Sequence, residues 1–437
     1  MNLDDMLNSV VDDAAAPSST NLPDSFWQAR PKLAQIRQAA HSRTVSPDAV
    51  LGVVLARVAL VTPCGVVLPA LVGSTATLDT LTALVASSGV GKSAAVKVAA
   101  ELLPIAIDDL VTDFPIGSGE GIVAAYLGIE SEPDANGKMR NVLKQVRRGV
   151  LAIVDEGQVL AEFASRKGST LMPTLRSAWS GATLGQGNAS TETNRRIPAG
   201  AYRFVAVVAV QPQHAVSLLD DAAGGTPQRI LWLSADDPTM PDESPDWPSV
   251  LSFTAPTRYV HSQTPMRVAE PIGVEIRARR LARVRRQLVD DDPLDSHADL
   301  VRLKVAALLA ILDERLDVSG DDWALAGVMM TTSKAVRRSV AMSAQLDARH
   351  RETASNERNV RRVIAEVDGV ERRSLDKAAA TMQRHAQRST ADTLSATELW
   401  RATSSADRKI VSQSDVIEHA ISLGYLVAEA DGYRAAA

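Results

Sequence analysis

The chain has 437 residues, 45% of them hydrophobic and only 4% aromatic, which suits about two to four domains with cores of Ala, Val and Leu. A single cysteine, Cys64, excludes an intrachain disulfide and a cysteine-cluster zinc site and fits a reducing, cytoplasmic setting. The net charge of -5 excludes a global nucleic-acid signature, and because residues 270–437 hold 26 basic and 26 acidic side chains, the deficit lies in the first 269.

Residues 1–24 are acidic and small and read as a disordered tail. No basic stretch followed by an apolar one opens the chain, so no signal peptide is expected. Residues 25–79 read as a helical N-terminal region. Ser46-Pro47-Asp48 is a helix start, with proline in the first turn. The most apolar stretch, Ala49 to Val72, is interrupted by Arg57 and Pro63, so a buried helix and no membrane span is expected.

Between residues 80 and 236, short apolar runs alternate with helical stretches: TALVAS, LAIVD, FVAVVAV and RILWL. The pattern predicts an α/β core with a mostly parallel, buried sheet. After the first run comes Ala86-Ser87-Ser88-Gly89-Val90-Gly91-Lys92-Ser93, followed by the helix former KSAAVKVAAEL. A strand, a glycine turn and a helix N-terminus together form a phosphate cradle of inward backbone N–H groups. Ser88, Gly89, Val90 and Gly91 would line it, Lys92 would reach the β- and γ-phosphates of ATP, and Ser93 would hold Mg²⁺. Ala86 departs from the motif, which has its first glycine there, so the nucleotide reading leans on a second motif.

That motif is GVLAIVDEG, a buried strand delivering Asp155 and Glu156 to its carboxyl end. Asp155 would join the Mg²⁺ shell, directly or through water, and Glu156 would orient or deprotonate the attacking water. Glu120 is the second candidate for that role, although Ser118 and Glu120 equally suit helix capping. Gln211, at the end of FVAVVAV, is placed to sense the γ-phosphate or to be a loop residue. Arg229, before ILWL, is a candidate arginine finger, in cis or across a subunit boundary, or a plain surface arginine at a strand start. Arg195 and Arg196, beside Asn194, are weaker candidates for DNA or phosphate contact.

Seven prolines between Pro238 and Pro271 mark residues 237–271 as a Pro-rich linker or an extended wrapping segment. Residues 272–390 read as a helical domain opening on a basic helix at 276–286, whose arginines spread around more than one face. Residues 391–437 hold a capping box at Ser395 to Glu398, a second helix, and two short strands around an Asp431-Gly432 turn. They resemble a winged helix, one with few basic residues.

The runs SFWQARPKLAQIRQAA, ASSGVGKS, GSGEGIVAAYLG, LAIVDEGQVL, LRSAWSGATLG, YRFVAVVAVQPQHAVSLLDDAAGGTPQRILWL and DWALAGVMM together resemble the P-loop ATPase part of primase–helicase proteins of actinobacterial phages and mobile elements. The likeness spans residues 25–345, with GTPQR-ILWL its most specific piece. It implies a RecA/DnaB-like ATPase of DNA replication, with Lys92, Ser93, Asp155, Glu156, Gln211 and Arg229 in the nucleotide site. It also implies single- or double-stranded DNA, a homo-oligomer such as a hexamer, and a primase or other replication protein as partners. A primase–polymerase domain often precedes that ATPase; none is read in this chain, so a self-contained unwinding unit does not carry over. Two other readings stand beside the helicase: an ATP-switched initiator or regulator that binds DNA through the winged helix, and a defence or mobile-element ATPase acting on a protein partner.

Overall fold

The computed structural model describes residues 19–133, 138–187, 195–256, 263–287 and 292–436. The packing divides the chain into two compact units, 1–346 and 347–437.

The first unit is built on a five-stranded sheet: β1 (Thr80–Val85), β2 (Leu110–Phe114), β3 (Gly149–Val154), β4 (Arg203–Val210) and β5 (Ile230–Ser234). Their spatial order is β5-β1-β4-β3-β2, and every neighbouring pair is parallel. This mixed α/β architecture agrees with the alternation read in the sequence. Four strands coincide with the apolar runs, because a parallel sheet covered on both faces accepts continuous Val, Ile and Leu. The edge strand β2, LVTDF, carries a threonine and an acid and is only half-buried, so it lacks that signal.

The apolar stretch forms one helix, Pro47–Val61, buried from Pro47 to Leu60. Ser46 caps it by accepting from the Ala49 N–H, and Pro47 occupies its first turn. Gly52 lets this helix approach the sheet, since a Cβ there would lie 2.6 Å from Leu233 Cδ1. No helix among the described residues is long and apolar enough to cross a membrane.

The regions expected to flank the sheet share its core. Phe26, Trp27, Leu33 and Ile36 join it from the N-terminal side, as do Leu303 to Leu312 and Met329 from beyond the prolines. Lys304, on the helix Ala298–Leu312, is fully buried and donates to the carbonyls of Asp79 and Trp179 at 2.7 and 2.8 Å. Its ammonium lies 3.7 Å from the centre of the Trp179 ring. The Pro-rich stretch is a wrapping segment: Leu251 N–H donates to Leu102 O, Gln35 and Gln38 donate to the carbonyls of Ser249 and Asp246, and Thr264–Pro265 pairs parallel with Val66–Val67. Residues 1–18 of the expected tail lie outside the described residues. Its last part is packed, with Leu22 buried and its N–H donating to Asp48 Oδ2 at 2.9 Å.

Asp48 sits inside this packing, and burial pushes its carboxyl up to about 7, against the pull of the Leu22 N–H. The folded chain therefore keeps a proton that the unfolded chain releases near pH 4. The stabilisation is complete below about pH 4 and is lost as the pH rises through 7. Asp48→Asn is expected to remove this loss while keeping an oxygen for the Leu22 N–H. Urea midpoints compared at pH 5 and 7.5 test it: the variant should gain on the wild type at the higher pH, and parallel midpoints would contradict the assignment.

The second unit packs Ala378, Ala379 and Met382, from the far part of the helix Gly320–Arg388, against Leu399, Val416, Ala420 and Leu426. Its own core thus begins within the long helix and not at residue 391. The capping box at Ser395 and Glu398 is present, and the helices Ala396–Ala402 and Gln413–Ser422 follow. The closing hairpin pairs Leu426–Glu429 with Gly432–Ala435, so its turn is Ala430-Asp431, one residue earlier than expected. Gly432 belongs in the strand because it runs against Leu394, whose carbonyl would lie 2.7 Å from an added Cβ.

Candidate nucleotide site

The site is a consequence of the strand order. β4 lies between β1 and β3, so the phosphate loop and Asp155 leave the same end of the sheet two strand spacings apart, about 10 Å. That gap suits a phosphate group and a hydrated cation between them. The register brings two strand ends level, Val85 pairing with Val210, and ends β3 two residues earlier, Val154 pairing with Val208, so that Glu156 comes level with Val210. Ala86, Gln211, Asp155 and Glu156 therefore emerge together at the carboxyl ends, where ligands of open α/β sheets lie.

Gly89 and Gly91 have φ of +83° and +106°, backbone that L side chains rarely adopt, which explains glycine at both positions. Lys92 begins the helix Lys92–Leu102. Its ammonium donates to the carbonyls of Ala86 and Ser87 at 2.7 and 2.6 Å. Burial in the loop lowers its pKa, and Asp236 opposes that shift. The departure at Ala86 is structurally mild. Ala86 is buried, its N–H donates to Val210 O at 3.3 Å, and it is not among the positive-φ residues. Ser88, Val90 and Ser93 are exposed at the rim.

Asp155 and Glu156 are both exposed at the mouth. Glu156 precedes the helix Gly157–Ser165, and its side chain makes no capping hydrogen bond, so its carboxylate is not committed to the fold. Gly157 lets that helix start close to β4, where a Cβ would lie 2.6 Å from Val210 Cγ2. Gln211 begins the next helix, Pro212–Asp220, on the central strand between the two motifs, and accepts from Gln213 Nε2 at 2.7 Å.

Of the two remaining candidates, Glu120 leaves the same carboxyl end of the sheet from its edge strand, and Arg229 lies at the amino end. Glu120 follows the edge strand β2 and accepts from Thr170 Oγ1 at 2.8 Å. Hydrogen bonds from its own backbone N–H and from Thr170 lower its pKa, and Ser118 caps its helix. The capping reading thus accounts for both residues. Arg229 precedes Ile230, which pairs with Leu81 at the amino end of the sheet. It lies about 16 Å of strand away from the loop, so the cis alternative is not met. Its guanidinium instead sits 5.3 Å from the Trp179 ring centre and donates to Gly225 O. Those contacts give Arg229 a packing role within this chain, in keeping with the reading of an ordinary arginine at a strand start.

Sequence reading missed Asp236. It follows β5, whose Ala235 N–H donates to Val85 O at 2.8 Å, and its charge acts on Lys92. Burial raises the Asp236 carboxyl, and Lys92 pulls it back. A strand-end acid in ILWLSADD was the available signal.

A Mg²⁺ ion keeps several waters and uses one or two protein oxygens plus substrate phosphates. Ser93 and Asp155 suffice for that, and the absence of a three-residue His/Cys/Asp/Glu cluster among the described residues does not count against it. A separate cavity of about 870 Å³ opens at the amino end, by Cys64, Leu110, Arg148 and Arg203. Size alone would favour it as a ligand site; the glycine turn, lysine and strand-end acids favour the carboxyl end.

DNA-contact candidates are mixed. Arg195 and Arg196 are exposed in the short strand Arg195–Ile197, while Asn194 lies outside the described residues. The exposed positions of Gln413–Ser422 include Asp415 and Glu418 and no Lys or Arg, a poor match to a phosphate backbone. No protein-family profile and no curated protein matches this chain.

Proposed function

We propose that this chain is an ATP-hydrolysing, RecA-like P-loop protein acting in phage or mobile-element DNA replication, with helicase-like, DNA-stimulated turnover. The observation that carries the nucleotide part is the convergence of the Gly89–Ser93 turn, Asp155, Glu156 and Gln211 at one end of a parallel sheet. Lys92 and the loop N–H groups bind the phosphates, Ser93 and Asp155 hold Mg²⁺, and Glu156 orients water. The metal, when bound, neutralises charge on the phosphates. Replication, DNA stimulation and the oligomer rest on the sequence resemblance.

The initiator reading is weakened by the acidic exposed face of Gln413–Ser422; the same face suits a protein contact. ATP hydrolysis measured with and without single-stranded DNA separates these readings. Stimulation by DNA is expected. Hydrolysis indifferent to DNA, with no unwinding, would overturn the helicase part and leave the nucleotide site standing.

A further inference from the structure

Two exposed helix faces share an apolar spacing and carry opposite flanking charge. On the helix Glu270–Val284, Val274, Leu281 and Val284 are 53, 47 and 64% exposed. Ala278 lies in the same stripe and is also exposed. Arg277 sits within the stripe, with Arg280 and Arg285 at its borders, all exposed. Arg279, by contrast, is held by Glu275 and Asp299.

On the helix Gly320–Arg388, Val360, Val363, Ile364, Val367 and Val370 are 42 to 58% exposed. Steps of three and four place them on one face. Glu357 and Glu371 border it on one side, and Glu366, which lies 3.9 Å from Arg362 on the same helix, on the other. A run of apolar residues at this spacing, left in water, marks an interaction surface.

The two stripes match position for position: Val274 with Val360, Arg277 with Val363, Ala278 with Ile364, Leu281 with Val367, Val284 with Val370. Each spans about 15 Å of helix. Neither stripe suits itself. Two valine faces in parallel register set Glu366 beside Glu371 of the other copy, and in antiparallel register centred on the valines they set Glu366 beside Glu366. Two copies of the arginine face bring like charges together. Opposite faces bring guanidinium groups to carboxylates around an apolar seam.

We propose that the Val274–Val284 face of one copy docks on the Val360–Val370 face of a second copy. Two different faces meet, so the contact either closes reciprocally in a two-fold pair or repeats head to tail into a ring or chain. It is salt-sensitive because its charged rim is exposed. It needs no nucleotide chemistry and stands if the proposed activity fails.

Single-cysteine variants test it in a Cys64→Ser background. Leu281→Cys and Val367→Cys chains, mixed and oxidised, are expected to form a mixed covalent dimer well above either homodimer, reduced at least fivefold by Arg277→Glu with Arg280→Glu. Adding Glu366→Arg with Glu371→Arg on the other chain should restore it. Homodimers alone would overturn the pairing in favour of like faces. A double-cysteine chain that closes only on itself would overturn it in favour of a contact within one chain. An undiminished cross-link in the Arg277→Glu, Arg280→Glu chain, with DNA retention lost, would assign the arginines to nucleic acid and overturn it too.

Discussion

Lys92→Ala is expected to abolish nucleotide-dependent turnover while the chain stays folded. The ammonium sits at the phosphate turn, where it donates to Ala86 O and Ser87 O. Phosphate oxygens would replace those carbonyls as acceptors. A charge in a partly buried turn interacts with a polyanion far more strongly than it would in bulk water. Removing one such stabilising donor typically costs about 10²–10³ in rate, and loss of phosphate affinity adds to it. The cost to folding is on the order of 1–3 kcal/mol, because water can take over the exposed Ser87 carbonyl while the carbonyl of buried Ala86 loses its donor. Hydrolysis and binding of a fluorescent ATP analogue, read beside a circular dichroism melt, check both halves. Wild-type turnover in the folded variant would refute the site.

Glu156→Gln is expected to bind ATP with near-native affinity and to hydrolyse it about 10²–10⁴-fold more slowly, the usual worth of a positioned general base. The substitution is clean because the Glu156 side chain caps nothing, so the change removes charge and basicity without a structural hydrogen bond. Glu120→Gln is the control. Its carboxylate already accepts from Thr170, and the amide oxygen can accept the same bond, so turnover should stay near native. If instead Glu120→Gln is inert and Glu156→Gln turns over, the base is Glu120, and the edge strand carries the chemistry.

Much of this was legible in one sequence. The strands β1, β3, β4 and β5 announced themselves because burial on both faces demands unbroken apolar runs. Ser46 and Ser395 were readable as caps because local hydrogen bonds need only local residues. β2 was not readable: an edge strand half-open to water accepts Thr112 and Asp113. The turn at Ala430-Asp431 was misplaced because Gly432 answers to Leu394, a neighbour far along the chain. Asp236 was hidden for the same reason, since nothing near it in sequence reveals that β5 ends beside Lys92.

What the residues determined by themselves is the chemistry on offer: a glycine turn that forces positive φ, a lysine at a helix start, and two acids after a buried strand. Those are local facts of backbone sterics and solvation. What only the tertiary structure decided is which of these groups meet. The strand order, with β4 between β1 and β3, brings Gln211, Asp155 and Glu156 to the phosphate loop and leaves Arg229 at the other end of the sheet. Direction along a parallel strand sets that outcome: a residue that ends a strand reaches the site, and one that begins a strand cannot.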